Sequence, residues 1–181
     1  MEKNVLYKCV KRVYAMYREV DRLPETNGHF SLALTPASCQ AITELLVLTP
    51  GSRVFWGGCG TGQEVISIAL AYPDVQFVAV DINLDAISVT KRKIAEIGGS
   101  LSNLVVRLSN ILDEPRNNYS HVYSTAVVGS HLYAHLRWLA AGRILCMFKS
   151  PMWEGEEDGN VRAVKLSGSG GQKQLLAKIL D

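Results

Sequence analysis

The residues best placed to do chemistry lie in Gly58-Cys59-Gly60-Thr61-Gly62. Glycine at alternate positions lets a backbone take positive φ and approach a ligand with no Cβ in the way. The apolar run Val54 to Trp56 precedes this cluster, and Val65, Ile66, Ile68, Ala69 and Leu70 follow it with helical spacing. That is the pattern of a strand, a tight turn and a helix whose first N–H groups favour electron-rich ligand atoms. A second apolar run, Val75 to Val80, closes on Asp81. A carboxylate at the end of a second strand, roughly 20 residues past such glycines, can accept hydrogen bonds from both hydroxyls of a ribose. Glycine turn and carboxylate together imply a nucleoside-bearing cofactor.

Spacing narrows the choice. In the dinucleotide pattern G-x-G-x-x-G, begun at Gly58 and Gly60, the third glycine position falls on Gln63, and the Gly-Lys-Ser/Thr ending of a P-loop is absent. The chain reads G-x-G-x-G instead. Here it resembles the class I S-adenosylmethionine-dependent methyltransferases, whose first motif ends in G-C-G-T-G and whose second motif carries an acidic residue that Asp81 matches. The likeness in layout spans about residues 36–150. It implies S-adenosylmethionine as cofactor, held by Gly58, Cys59, Gly60, Thr61, Gly62, Asp81 and the adjoining Ile82. It further implies adenine contacts from Asn110 and Ile111 at the end of the third strand. An amide there can accept from the adenine amino group and donate to a ring nitrogen; the plain alternative is a turn asparagine. One position departs from the family. Trp56 stands where its first motif has an acid that helps hold the amino-acid end of the cofactor, and Glu64 is the nearest substitute.

The elements that must position these groups follow from hydrophobic period and breakers. Residues 1–22 are expected as a helix with Leu6, Cys9, Val13, Met16 and Val20 on one face. Its lysines, arginines and tyrosines form either a solvated basic side or a substrate platform. Leu23 to Gly28 is a breaker cluster, and residues 23–35 are expected as a loop over the cofactor, able to act as a lid. Thr35 with Pro36 suits a helix start, with Ile42, Leu45 and Leu46 turned inward. Pro50-Gly51 leads into the first strand. A helix from Asn83 or Asp85 to about Ile97, with Leu84, Ile87, Val89, Ile94 and Ile97 as its apolar positions, precedes Gly98-Gly99. Strands are expected at Leu104–Leu108, about His121–Val128 and Ile144–Phe148, with a helix from His131 to Leu139. Residues 161–166 and 175–180 are expected as a terminal hairpin, the second arm being equally compatible with a short helix. The alternation predicts an α/β fold: a Rossmann-like, doubly wound, mainly parallel sheet with an N-terminal helical extension. One domain accounts for all 181 residues: 1–35 as helix and lid-like loop, 36–181 as α/β core.

Composition excludes some classes. A formal net charge of +2 indicates no dominant nucleic-acid partner, though it does not forbid one. No apolar run reaches the roughly 18 residues of a membrane span. Four cysteines without a C-x-x-C pair are read as reduced thiols, which gives a cytoplasmic expectation.

The acceptor of the transferred group should face the end of the fourth strand, Val127 to His131, with Tyr133 just beyond. His131 and Tyr133 are the candidates for acid–base work, and neither is assigned a role. His131 and His135 lack the further ligands of a zinc site, so no metal is expected. Three activities stay open: methyl transfer to a small-molecule or protein acceptor, aminobutyrate transfer from the same cofactor as in nicotianamine synthases, which Ala126-Val127-Val128-Gly129 resembles, and cofactor binding without catalysis.

Overall fold

The structure, a computed structural model, describes residues 3–18, 36–98, 101–116, 118–124, 130–140, 144–148, 161–168 and 171–179. In chain order the elements are α1 (Lys3–Met16), α2 (Pro36–Leu46), β1 (Arg53–Gly57), α3 (Gln63–Ala71), β2 (Gln76–Asp81), α4 (Leu84–Glu96), β3 (Leu104–Leu108), a 3-10 turn (Ile111–Asp113), β4 (His121–Ser124), α5 (Ser130–Leu139), β5 (Ile144–Phe148), β6 (Val161–Gly168) and β7 (Gly171–Ile179). The strands form one sheet in the order β3-β2-β1-β4-β5-β7-β6. Neighbours from β3 through to β5 are parallel, while β7 runs antiparallel to both β5 and β6. The order reverses between β1 and β4, and ligands of open α/β sheets bind outside the carboxyl ends of the strands at such a point.

Each sheet face has its own core. Val54 and Trp56 of β1 join the cluster made with α1, α2 and α3, while Phe55 between them joins the cluster under α5. This is the period-2 alternation of a strand covered on both sides. Across the first face, Trp56 and Tyr123 are neighbours, flanked in the same row by Ala79 on one side and Cys146 and Ala177 on the other. Small side chains beside two large rings keep the layer level enough for helices to pack on it.

Local capping explains several boundaries. Asn83 caps α4 by accepting from the N–H groups of Asp85 and Ala86. Asn103, 5% exposed, donates its amide to the carbonyls of Ala69, Tyr72 and Val75 at 3.0 Å each, which closes off the end of α3. Glu114, buried between β3 and β4, accepts from Arg107 at 2.5 Å and from the Tyr119 hydroxyl, and so pins the crossover that carries Asn110 and Ile111.

Several expectations need correction. The first helix stops at Met16 rather than near residue 22, because Tyr17 closes it with a turn bond from its N–H to the Tyr14 carbonyl. Leu6 and Val13 are buried as expected and Cys9 and Met16 pack partly buried against the same core; Val10 and Tyr17 are buried with them, and Val20 lies outside the described residues. Leu84 is 62% exposed and not part of the α4 core face. The expected terminal hairpin forms, its second arm a strand rather than the alternative helix, paired with β6 over residues 171–178 and with β5 over 175–179. β4 is described as far as Ser124; the rest of its expected span, like Thr35 and the lid at 23–35, lies outside the described residues.

Candidate functional site

β1 ends at Gly57, on the carboxyl rim of the sheet. The chain then turns through Gly58 at φ +73°, Gly60 at +55° and Gly62 at +83°. All three angles lie in the left-handed region that favours glycine. The turn is tied to β2 by the N–H groups of Gly58 and Cys59, which both donate to the Val80 carbonyl at 2.9 and 3.0 Å. Gly62 occupies the N-cap of α3 and supplies no side-chain cap. A Cβ on Gly62 would meet the Thr90 methyl at 2.5 Å, so this glycine is demanded by space as well as by φ.

Asp81 reaches into this turn. Its Oδ2 accepts from the Gly60 N–H at 2.8 Å and its Oδ1 accepts from the Asn83 N–H at 2.8 Å. One carboxylate thus holds the glycine loop and the start of α4. A carboxylate offers about four acceptor positions, so two such bonds leave capacity for a ligand on each oxygen. Two hydroxyls approach the loop carbonyls. The Thr90 hydroxyl lies 3.1 Å from the Gly60 carbonyl and 2.9 Å from that of Ala86, sharing its proton between them, and the Tyr17 hydroxyl donates to the Thr61 carbonyl at 2.5 Å.

Beside Asp81, Ile82 is 74% exposed and open to a ligand. Ile111 instead packs over the end of β1, where a Cβ on Gly57 would stand 2.9 Å from its Cδ1. Asn110 uses its side-chain oxygen to cap the 3-10 turn, accepting from the Leu112 N–H at 3.0 Å. It has the geometry of a turn asparagine on an exposed side chain.

Trp56 does not enter the crevice. It is buried, and its ring stacks on Tyr123 with centroids 3.9 Å apart. Glu64 lies in the first turn of α3. Its charge helps raise the Tyr14 hydroxyl, the Cys39 thiol and the Cys59 thiol, in each case behind the larger effect of burial.

On the acceptor side, Ser124 ends β4 buried, and its hydroxyl makes no hydrogen bond among the described residues. His131 is exposed at the start of α5, while Tyr133 is buried with the Arg137 guanidinium over its ring. Nothing in the described residues brings these two side chains together. His135 lies against Trp138, with ring centroids 5.2 Å apart. Sequence reasoning did not single out Thr90, Lys93 or Ser124, and placed Tyr17 only among the tyrosines of the basic helix. None belongs to a motif, and the bonds that matter here join residues 30 or more apart in the chain: Tyr17 to Thr61, Thr90 to Gly60 and Lys93 to Met16.

No protein-family model and no curated protein matches the sequence. Solved structures do match the fold. Magnesium protoporphyrin IX methyltransferase ChlM from Synechocystis PCC 6803, with bound SAM, aligns over 99% of this chain and 97% of its own, at TM-score 0.65 and 17% identity. The O-methyltransferase TomG from Streptomyces achromogenes, in complex with SAM, aligns over 96% and 90%, at TM-score 0.66 and 17% identity. TrmN from Thermus thermophilus aligns over 81% of this chain at TM-score 0.61 and 17% identity, and this chain spans about half of it, 49%. The architecture is the class I methyltransferase fold, with the expected α/β sheet and an N-terminal helix. No helix among the described residues is long and apolar enough to cross a membrane.

Proposed function

We propose that the protein is an S-adenosylmethionine-dependent methyltransferase. The observation that carries this reading is the Asp81–Gly60 clamp: a carboxylate and a glycine turn locked together at the point where strand order reverses. The residues present fit the cofactor. Gly58, Cys59, Gly60, Thr61 and Gly62 give a wall without bulk, and Asp81 keeps acceptor capacity for ribose hydroxyls. Ile82 offers one apolar face to the adenine and Ile111 closes the other side. With the Asn110 oxygen engaged at Leu112, its amide N–H2 is the end left to read a ring nitrogen. Glu64 takes over the ammonium of the amino-acid end, the part that the family acid replaced by Trp56 would hold.

When bound, the cofactor supplies an electrophilic methyl on a sulfonium. The chain's own task is to hold an acceptor in line with it and keep water out. An acceptor that carries a proton needs a base. His131, exposed at the end of the β4 crossover, is available for that, whereas Tyr133 is buried and serves α5 packing. The acceptor, a small molecule or a protein side chain, is taken up from the β4–α5 rim. A cytoplasmic setting goes with the four free cysteines.

The test is titration calorimetry with S-adenosylmethionine and S-adenosylhomocysteine, followed by incubation of labelled cofactor with fractionated extract. Release of S-adenosylhomocysteine supports methyl transfer. Methylthioadenosine would reassign the protein to aminobutyrate transfer. Binding without either product leaves a cofactor-binding module, and no binding at all ends the reading.

A further inference from the structure

Two cations cap each other's helices beside the glycine loop. Arg12 of α1 donates to the carbonyl of Ile97, the C-cap of α4, at 3.1 Å. Lys93 of α4 donates to the carbonyl of Met16, the last residue of α1, at 2.7 Å. The pairing 12 with 97 and 16 with 93 makes the two helices antiparallel. Because α4 starts at the carboxyl rim of the sheet, α1 must end there. A cation at each C-terminus also satisfies the helix dipole.

Lys93 is the unusual member. Its side chain is 1% exposed, it pairs with Glu96 at 3.0 Å, and its ammonium sits 5.4 Å from the centre of the Tyr17 ring. Lysine is almost never fully buried unless paired. Tyr17, itself 6% exposed, lies beside this ammonium, and its hydroxyl donates to the Thr61 carbonyl. One turn earlier on α4, Thr90 holds the Gly60 carbonyl. Two adjacent carbonyls of the glycine loop are thus met by hydroxyls from α4 and from the turn that closes α1, and Lys93 ties α4 to the last residue of α1.

We infer that Tyr17 and Lys93 are positioning residues that set cofactor affinity from outside the pocket, by coupling the docked end of α1 to the shape of the glycine loop. This rests on the S-adenosylmethionine reading above. Coupling of this kind is reciprocal. Docking of α1 tightens cofactor binding, and bound cofactor holds the end of α1 in place by the same factor.

The experiment combines calorimetry with backbone hydrogen exchange on the full chain, using S-adenosylhomocysteine as the probe. In the wild-type protein the ligand is expected to slow exchange at residues 12–17, the end of α1 that Tyr17 ties to the glycine loop. Tyr17→Phe removes only the hydroxyl, and about 3- to 10-fold weaker binding is expected from the loss of one hydrogen bond. The ligand-dependent protection of α1 should vanish with it. Lys93→Met should do the same, Lys93→Arg should restore part of the affinity, and the double variant should bind no worse than the weaker single one. A merely structural role would lower stability in all variants yet leave the ligand's effect on α1 exchange intact, and that result overturns the inference. Wild-type binding with no protection of α1 overturns it as well, while leaving the cofactor reading standing. No binding by the wild type removes both.

Discussion

Asp81 accepts the backbone N–H of Gly60 at 2.8 Å across 21 residues of chain, while its other oxygen accepts from Asn83. The carboxylate proposed to grip a ribose is therefore also a structural clamp. A ligand that adds hydrogen bonds to these oxygens meets a group already oriented, with little side-chain entropy left to lose.

This double role separates two effects of one substitution. Asp81→Ala should weaken binding of S-adenosylhomocysteine and also lower stability without ligand by about 1.5–3 kcal/mol, the usual worth of a hydrogen bond to a charged group. Asp81→Asn keeps one acceptor but turns an N–H2 toward a backbone N–H, so it should recover only part of the loss. Urea unfolding without ligand reads the clamp, and calorimetry reads the site. An unchanged unfolding midpoint in Asp81→Ala would show that the Gly60 bond contributes nothing to the fold.

The glycines of the loop are not equivalent. A Cβ on Gly60 meets nothing within 4 Å, so Gly60→Ala faces only the cost of its positive φ, about 1–2 kcal/mol. Gly62→Ala adds a contact of 2.5 Å with the methyl of Thr90, a fully buried residue of α4. Gly62→Ala is expected to be the more destabilising by thermal melting and to lose ligand binding. Trimming the neighbour in Gly62→Ala/Thr90→Ser should recover part of the stability. Equal melting temperatures for the two alanine variants would contradict this account.

The rim of the site was legible in the chain because it depends on local chemistry. Gly58, Gly60 and Gly62 need positive φ, and Asp81 ends an apolar strand, so residue type and spacing alone located them. The alternation of apolar runs likewise specified the parallel part of the sheet. What escaped was set by tertiary contact. Nothing near Tyr17 in sequence says that its hydroxyl ends on Thr61, and a basic, tyrosine-rich helix reads as solvated until α4 is laid beside it. The same holds for Asn110, whose amide suits either a base or a turn, and which the fold has engaged with Leu112. The β7 arm was ambiguous because its apolar residues fit both periods, and pairing with β5 and β6 decided it.

Burial of the thiols gives a pH dependence with a definite sign. Burial, with the Glu64 charge adding to it, raises the Cys39 thiol from 9.0 to about 12 against an opposing hydrogen bond from Tyr14. Burial also pushes up Cys59 and Cys146. These groups stay protonated in the folded protein after their unfolded counterparts have begun to ionise. The unfolded state then binds fewer protons, so stability falls with rising pH. Their contribution is complete below about pH 9 and is lost progressively toward pH 12. Urea midpoints should hold to about pH 8.5 and decline above it, more shallowly in Cys146→Ala once its own cavity cost is subtracted. Iodoacetamide should label Cys9, the one partly exposed thiol among the described residues, before the other three.

The departure at Trp56 invites an obvious repair, and the packing says that it fails. Restoring an acid by Trp56→Asp would remove an indole that is 2% exposed and stacked at 3.9 Å on Tyr123. Truncating a buried Trp costs about 3–5 kcal/mol, and an unpaired buried carboxylate adds several more. Against a total stability of roughly 5–15 kcal/mol for a protein domain, that sum is enough to unfold this one. The expected outcome is loss of near-ultraviolet circular dichroism and of cooperative melting. Trp56→Phe keeps an aromatic ring against Tyr123 and should fold, with a lower melting temperature. Its affinity for S-adenosylhomocysteine should stay close to that of the wild type, because the side chain at 56 belongs to the layer under α1–α3 and not to the crevice. Markedly tighter binding by Trp56→Phe would mean that the indole occupies space the cofactor needs, and the division of labour between core and crevice drawn from β1 would be wrong.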